Sequence, residues 1–290
     1  MTTVWSGLAT GALYALVAIG YNVVLLASGV FNFAYAQLIM LATYMAYVAS
    51  TALGLPIVGA AAFGLATVGA VAVVEHRVAI APLLARRGEH QQAALITTVG
   101  VAVIIDGITS KVWGSQAKPV PAPLSGNAVH LLGGTVGRND LLLIGLVVVI
   151  GVGLHAWTRK TVSGLAALAT AEDPEAARAR GINTKRLAVV AFALSGMIAG
   201  ALGIVVGSKT YATPTLADSL ALFGFVAIAI GGSGSQLGGL LGGFVTGLVF
   251  ALAERYTNTD WPPIIVFGVF LLVLLTRPRG IFARGVERQV

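Results

Sequence analysis

The sequence predicts an all-α polytopic membrane protein with about 8–10 transmembrane or partly crossing helices. Hydrophobic residues make up 57% of the 290 residues and charged residues only 10%, against about 25% charged residues in soluble domains. The mean hydropathy is +0.90. The 74 residues from Met1 to Val74 contain no Asp, Glu, Lys or Arg. These observations exclude an ordinary water-soluble fold and indicate a single transmembrane domain over residues 1–290.

Nine apolar stretches are the candidate membrane segments, taken in chain order. Two of them, 219–231 and 263–276, are too short to cross a hydrocarbon core of about 30 Å, so we expect broken or tilted helices there. The nine stretches are 4–27, 34–53, 57–74, 93–110, 141–157, 187–207, 219–231, 236–253 and 263–276.

Glycine accounts for 37 residues, and glycine in apolar helices lets two backbones approach closely. Four pairs of glycines are spaced four residues apart. We expect them to pack helices within the chain rather than to form a dimer face. The pairs are Gly7 with Gly11, Gly196 with Gly200, Gly239 with Gly243, and Gly243 with Gly247.

The distribution of basic residues predicts the orientation in the membrane. The connections 75–92, 158–186 and 277–290 hold three, six and four Lys or Arg, which is 13 of the 18 in the chain. The positive-inside rule places these connections in the cytoplasm. With nine segments, the N-terminus then lies outside and the C-terminus inside. The N-terminus lacks a basic stretch, so a cleavable signal peptide is not expected.

Two short polar interruptions separate apolar segments, at Gly29–Gln37 and at Gly231–Gln236, and a helix rich in small residues follows each. Their similarity indicates a faint internal repeat, and corresponding interruptions in transporters lie at the substrate path. The alternative is that both are ordinary cytoplasmic turns. The polar residues expected to line or gate a path are Asn32, Tyr35, Gln37, Ser233, Ser235 and Gln236.

The connection 158–186 contains the signals of a short helix from Pro174 to Arg180. Asp173 is a suitable N-cap, Pro174 suits the first helical position, and Gly181 suits the left-handed position after the helix. A helix of about seven residues is not stable alone in water, so it must dock on something. It either rests against its own helix bundle or inserts into a cytoplasmic partner.

A few ionisable residues lie within or beside the apolar segments. Asp106 is the acid inside a proposed span, and we expect it to lie near the outer interface, where its charge costs less. Glu75, His76 and Arg77 are expected to extend toward the inner interface. The proline-containing loop 111–140 is either an external contact for another protein or a plain connector.

Catalysis by this chain is not expected. There is no cysteine, and the four histidines are scattered without metal-ligand spacing. No nucleophile elbow occurs, and the glycine run at 203–210 lacks a lysine directly after its second glycine, as a phosphate-binding loop requires. No long basic run or nucleic-acid-binding module occurs, so nucleic acid is not an expected partner.

The chain resembles the permease subunits of ATP-binding-cassette importers for branched-chain amino acids, of the smaller of the two permease types. The resemblance covers nearly the whole chain, and its motifs occur in the family's order. The segments that carry it are Gly7–Asn22, Gly29–Tyr44, Glu172–Asn183, Ala191–Gly203 and Gly231–Gly247.

The resemblance implies a bacterial plasma (inner) membrane importer that takes small solutes into the cytoplasm. It implies a homologous second permease, two cytoplasmic ATP-binding subunits that bind ATP and Mg²⁺, and an extracytoplasmic solute-binding protein. It also implies that the short helix in 158–186 is a coupling segment that contacts an ATPase. The residues so assigned are Asp173, Pro174, Glu175, Ala176, Ala177, Arg178 and Gly181.

One departure from the family's pattern leaves the substrate open. Relatives commonly read Asn-Phe-Ala-His-Gly-Glu, whereas this chain has neutral Tyr35 and Gln37 at the ionisable positions. Branched-chain amino acids are the default substrate, and small amides, urea-like compounds and organic acids are alternatives. The competing functions are an ion- or proton-coupled secondary transporter in which Asp106 titrates, and a membrane scaffold.

Overall fold

The protein is helical throughout its apolar segments, as a computed structural model shows. All nine predicted segments form helices, so the prediction of an all-α polytopic membrane protein is confirmed. The structure describes residues 1–84, 90–131, 133–258, 260–278 and 280–282. Five arginines that contribute to the predicted orientation lie outside the described residues: Arg86, Arg87, Arg279, Arg284 and Arg288.

Within the described residues, six helices are long and apolar enough to cross a membrane, and three shorter apolar helices accompany them. The short stretches at 219–231 and 263–276 form α10 and α12, of 16 residues each. The helices are α1 (Thr2–Ser28), α2 (Tyr35–Tyr47), α3 (Ile57–Glu75), α4 (Ala81–Leu84), α5 (His90–Trp113), α6 (Arg138–Lys160), α7 (Val162–Glu172), α8 (Pro174–Ala179), α9 (Thr184–Thr210), α10 (Leu216–Gly231), α11 (Gln236–Tyr256) and α12 (Trp261–Thr276).

Two π-helical segments extend these helices. Val48–Ala52 continues α2, and His76–Ile80 joins α3 to α4. The prediction that the third segment ends at residue 74 is therefore wrong, because the helical run continues to Leu84. Charged residues at 75 and 77 end an apolar stretch in the sequence, but they do not end the helix.

The 158–186 connection holds two helices, α7 and α8, whereas the sequence predicts only the second. The side chain of Thr161 caps α7, since its Oγ1 accepts a hydrogen bond from the backbone N–H of Gly164 at 3.1 Å. A side chain at position 164 would overlap the backbone of Trp157, which packs directly on this glycine. The chain therefore turns sharply from α6 into α7.

A small hairpin follows the long loop after α5. Its strands β1 (Val129–Leu131) and β2 (Gly134–Val136) are antiparallel, with Val129 opposite Val136. The indole Nε1 of Trp5 donates a hydrogen bond to the carbonyl of Leu131 at 3.2 Å. This contact ties the hairpin to the first turn of α1.

The chain forms two compact units, which are described separately below. Their boundaries fall inside α1, α6 and α10. The single permease domain over 1–290 stays a prediction. The first unit comprises Met1–Asn22, Ala128–His155 and Leu222–Val290, and the second comprises Val23–Asn127 and Ala156–Ala221.

In the first unit, α1 packs on α11 through glycines on both helices. A Cβ atom at Gly11 would meet the carbonyl oxygen of Gly243 at 2.9 Å, and one at Gly247 would overlap the backbone of Gly11. A Cβ atom at Gly7 would lie 3.0 Å from Ala251. Backbones this close leave no room for a side chain, which is the packing that small residues allow in membranes.

In the second unit, α3 and α9 make a similar contact. A Cβ atom at Gly200 would overlap the carbonyl of Gly64, and one at Gly196 would meet the carbonyl oxygen of Val68 at 2.8 Å. A Cβ atom at Gly203 would overlap the backbone of Ala42 in α2. The expectation that the paired glycines pack helices within the chain is thus confirmed in both units.

Candidate functional site

The first interruption, between α1 and α2, is organised by a buried asparagine. Asn32 is fully buried, and its Oδ1 accepts a hydrogen bond from the backbone N–H of Ala34 at 3.0 Å. Its backbone carbonyl accepts another from the N–H of Tyr35 at 3.2 Å. Because Ala34 has no side chain that can cap α2, Asn32 supplies the acceptor for the first turn.

The contacts of this interruption with α5 show how far along that helix it lies. The hydroxyl of Thr98 donates to the carbonyl of Phe31 at 3.5 Å, and the rings of Tyr44 and Trp113 stack at 4.8 Å. The two helices therefore run side by side in the same direction. Thr98 lies eight residues after His90, the start of α5, which is about 12 Å along a helix. The interruption thus lies well inside the helix bundle rather than at its end.

Glu75 and His76 also lie at this interruption, and both are buried, with 4% and 3% of their surface exposed. The side chain of Asn32 lies beside the carboxylate of Glu75 without a well-formed hydrogen bond. The His76 ring packs on Phe192 with centroids 5.0 Å apart. The predicted interfacial cluster is therefore wrong for Glu75 and His76, because the continuing helix holds them inside the protein, whereas Arg77 is exposed.

Tyr35 and Gln37, the other two predicted path residues of this unit, lie in the first turn of α2. Tyr35 is fully buried and Gln37 is 6% exposed. The amide Nε2 of Gln37 donates a hydrogen bond to Oδ2 of Asp106 on α5 at 3.3 Å. The acid that the sequence assigns to an interface is therefore in contact with a predicted path residue.

The second interruption, between α10 and α11, contains two glycines with positive φ. Gly232 has φ +103° and Gly234 has φ +83°, a region that side-chain-bearing residues rarely adopt. Ser235 caps α11, because its Oγ accepts a hydrogen bond from the N–H of Gly238 at 3.0 Å. Gln236 is 1% exposed, and neither end of its carboxamide has a hydrogen-bond partner among the described residues, whereas Ser233 is exposed.

Asn22 forms hydrogen bonds to this second interruption, although it is not among the site residues predicted from the sequence. It is fully buried in α1, and its Nδ2 donates to the carbonyl of Ser235 at 3.0 Å. Its Oδ1 accepts from the backbone N–H of Gly234 at 2.7 Å. A carboxamide in an otherwise apolar span was the available signal, since a buried polar group needs partners.

The six predicted path residues therefore form two groups, one in each unit. Asn32, Tyr35 and Gln37 surround the start of α2 in the second unit. Ser233, Ser235 and Gln236 surround the start of α11 in the first unit. That both groups line one route stays a prediction.

Asn22→Leu is expected to destabilise the first unit. It leaves the N–H of Gly234 and the carbonyl of Ser235 without their partner, at a cost of about 1–3 kcal/mol for an unsatisfied buried group. The thermal midpoint of the detergent-solubilised protein should fall. Asn127→Leu, at an exposed loop position, is the control, and equal midpoints for the two variants would contradict this role of Asn22.

The helix α8 has the caps that the sequence predicts. Oδ1 of Asp173 accepts hydrogen bonds from the backbone N–H groups of Glu175 at 2.9 Å and Ala176 at 3.0 Å. These two hydrogen bonds hold the pKa of Asp173 below its usual range, and the one from Ala176 has the larger effect. The cap is therefore charged at neutral pH. Gly181, at φ +86°, ends the helix, and its N–H donates to the carbonyl of Arg178 at 3.0 Å.

Only one residue of α8 is buried, so the helix has a free outer face. Ala177 is 3% exposed, whereas Pro174, Glu175, Ala176 and Arg178 are exposed. A groove of about 640 Å³ begins at Ile182 and Asn183, directly after α8, and runs along α9 as far as Met197. The groove is lined mainly by apolar side chains, among them Leu187, Val190 and Leu194. The short capped helix itself, with its exposed outer face, is a surface that another protein could contact.

No group of three or more His, Asp or Glu side chains able to hold a metal ion occurs within the described ranges.

The family model described as "Branched-chain amino acid transport system / permease component" matches residues 3–274. The permease protein BraD of Pseudomonas aeruginosa, named for high-affinity branched-chain amino acid transport, is 28% identical over 98% of this chain and 96% of its own length. The corresponding LivH permease of Escherichia coli K12 is 27% identical over 99% and 96%. A probable LivH permease of Methanocaldococcus jannaschii is 26% identical over 93% and 88%.

A more distant permease and one solved structure are also similar. The autoinducer 2 import system permease LsrC of Escherichia coli is 28% identical over 68% of this chain and 59% of its own length. PsaBC of Streptococcus pneumoniae in complex with a Fab matches with a TM-score of 0.49 and 14% identity, over 96% of this chain and 93% of that chain.

Proposed function

Since the chain belongs to the branched-chain amino acid transport system permease component family, we propose that it is the transmembrane permease subunit of an ATP-driven importer of branched-chain amino acids. The observation that carries this proposal is the family match over residues 3–274. Relatives named for high-affinity branched-chain amino acid transport, similar over almost their whole length, support the substrate class.

In this proposal, two cytoplasmic subunits bind ATP and Mg²⁺, and a homologous second permease and an extracytoplasmic solute-binding protein complete the importer. The chain contributes the passage and has no ATPase site of its own. The capped and exposed helix α8 supports contact with an ATPase, because a helix of six residues gains order from a partner that holds its free face.

Reconstitution tests the proposal. The chain, the products of its neighbouring permease and ATPase genes and the matching binding protein are placed in lipid vesicles with labelled leucine. Uptake is expected only when ATP is supplied on the side of the ATPase subunits. Uptake that continues without ATP and stops when a proton gradient is collapsed would instead support the secondary transporter.

The proposed orientation has the N-terminus outside and the C-terminus and the 158–186 connection in the cytoplasm. It rests on the 13 of 18 basic residues in alternate connections and on the positive-inside rule. It places α8 on the side where ATP is available.

Single cysteines test this orientation, because the native chain has no cysteine. Ala171→Cys and Asn127→Cys both lie at exposed positions. In intact cells, a membrane-impermeant maleimide is expected to label the cysteine at 127, and to label that at 171 only after permeabilisation. The reverse pattern would invert the proposed orientation.

A further inference from the structure

Two polar side chains of the second unit are hydrogen-bonded to each other beside the start of α2, and an exposed acid lies near enough to act on one of them. Gln37 lies on α2, Asp106 on α5 and Asp218 in the first turn of α10. Asp106 lies seven residues before Trp113, which is about 10 Å from the end of α5. In the proposed orientation, this end of the helix faces the outside of the cell.

Within the described part of the chain, this cluster has more hydrogen-bond acceptors than donors. The Nε2 group of Gln37 is already used, because it donates to Oδ2 of Asp106. Two acceptor atoms remain, Oε1 of Gln37 and Oδ1 of Asp106, and both are buried without a partner among the described residues. Gln37 is 94% buried, since only 6% of its surface is exposed. Buried acceptors of this kind need a donor to offset their lost hydration.

Among the described residues, the charged group that acts on Asp106 is another acid. Asp218 is close enough to Asp106 for the two carboxylates to repel each other. Within the described ranges, Asp106 contacts the carboxamide of Gln37. It forms no ion pair with a Lys or Arg of those ranges. Two carboxylates and an open amide oxygen therefore favour a ligand that is cationic and donates several hydrogen bonds.

We propose that Gln37 and Asp106 form the binding site for the ammonium group of the amino acid that this permease transports, and that the exposed Asp218 adds negative charge near it. A primary ammonium carries one positive charge and three N–H donors, which match the negative charge and the unfilled acceptors of the cluster. The site would select zwitterionic amino acids over organic acids, which the two carboxylates repel, and over neutral amides. This inference rests on the proposed function, because it names the part of the substrate that this chain recognises.

The test uses the reconstituted importer with leucine-loaded binding protein. Asp106→Asn keeps the shape of the side chain and removes its charge, and we expect leucine uptake to fall about tenfold or more, as for loss of a charge-assisted hydrogen bond. Asp106→Glu should retain part of the uptake. Asp218→Asn changes an exposed residue and should lower uptake less. The matched control is Asp260→Asn, an exposed acid that makes no capping hydrogen bond.

If wild-type vesicles take up no branched-chain amino acid, the proposed function fails. If wild-type uptake is normal and both Asp106→Asn and Asp218→Asn match Asp260→Asn, the ammonium site alone is wrong. Wild-type uptake that is lost when choline replaces sodium, with a sodium affinity that Asp106→Glu lowers, would assign the site to a metal cation and would also overturn the inference. Asp106→Asn complexes are compared only after size-exclusion chromatography shows normal assembly, and Asp218→Asn decides the question if they fail to assemble.

Discussion

Glu175→Lys on α8 is expected to reduce leucine uptake and substrate-stimulated ATP hydrolysis together, while membrane insertion stays normal. Glu175 is exposed in the first turn of the helix, at the end where the helix dipole is positive. Lysine there reverses a favourable charge and changes the sign of the surface offered to an ATPase. The expected loss is about tenfold or more in both activities, as for charge reversal at a buried interface.

Asp173→Ala provides a second test of the same helix by another mechanism. It removes the acceptor of the two hydrogen bonds that start α8, so the helix frays although the charge at Glu175 is unchanged. Both activities should fall again, and by less than in Glu175→Lys, because the contact surface can still form when the ATPase orders it.

The control for both variants is Asn127→Lys, which introduces the same positive charge at an exposed position of the 111–140 loop. Uptake and ATPase activity are measured in vesicles that contain all subunits. If the α8 variants lose no more coupling than Asn127→Lys, the helix is a passive connector and the coupling assignment is wrong.

The membrane segments could be predicted from the sequence because the information is local. A stretch such as 236–253 contains no charged side chain, and an apolar run of that length has few alternatives to a helix. The caps of α8 are local as well, since Asp173 and Gly181 lie within two residues of the helix that they bound. Local signals of this kind predict elements and their ends.

The contacts that build the site could not be predicted, because they join distant parts of the chain. Gln37 and Asp106 are 69 residues apart, and Asn22 and Ser235 are 213 apart. The sequence shows a neutral glutamine at position 37, but it does not show that an aspartate from another helix lies beside it. The negative charge near position 37 is thus present in the folded protein.

Two local errors have a common physical cause. The charged residues after Val74 were taken to end a membrane segment, but the π-helical segment His76–Ile80 continues the helix. The side chain of Glu75 is buried there. Likewise, the basic residues around 158–186 indicated a loop, although α7 forms there from residues with good helix propensity. A charged residue in the sequence is therefore a weaker signal for the end of a helix than a capping residue is.

Gly200→Ala is expected to disrupt the packing of the second unit, although alanine favours a helix by about 1 kcal/mol over glycine. A Cβ atom at Gly200 would overlap the backbone carbonyl of Gly64, and backbone cannot move aside as a flexible side chain can. The expected cost of about 1–3 kcal/mol for overpacking therefore exceeds the gain in propensity.

Gly107→Ala is the matched control for this prediction, because Gly107 lies in the helical span α5 of the same unit and has nothing within 4 Å of an added Cβ atom. Both variants gain the same propensity, so the difference between them isolates the close approach of α3 and α9. In detergent, the thermal midpoint of Gly200→Ala should fall below that of the wild type, and its yield of monodisperse protein should drop. Gly107→Ala should match or exceed the wild type. Equal midpoints for the two variants would mean that the helices separate at no cost, and the glycine contact would then not stabilise the fold.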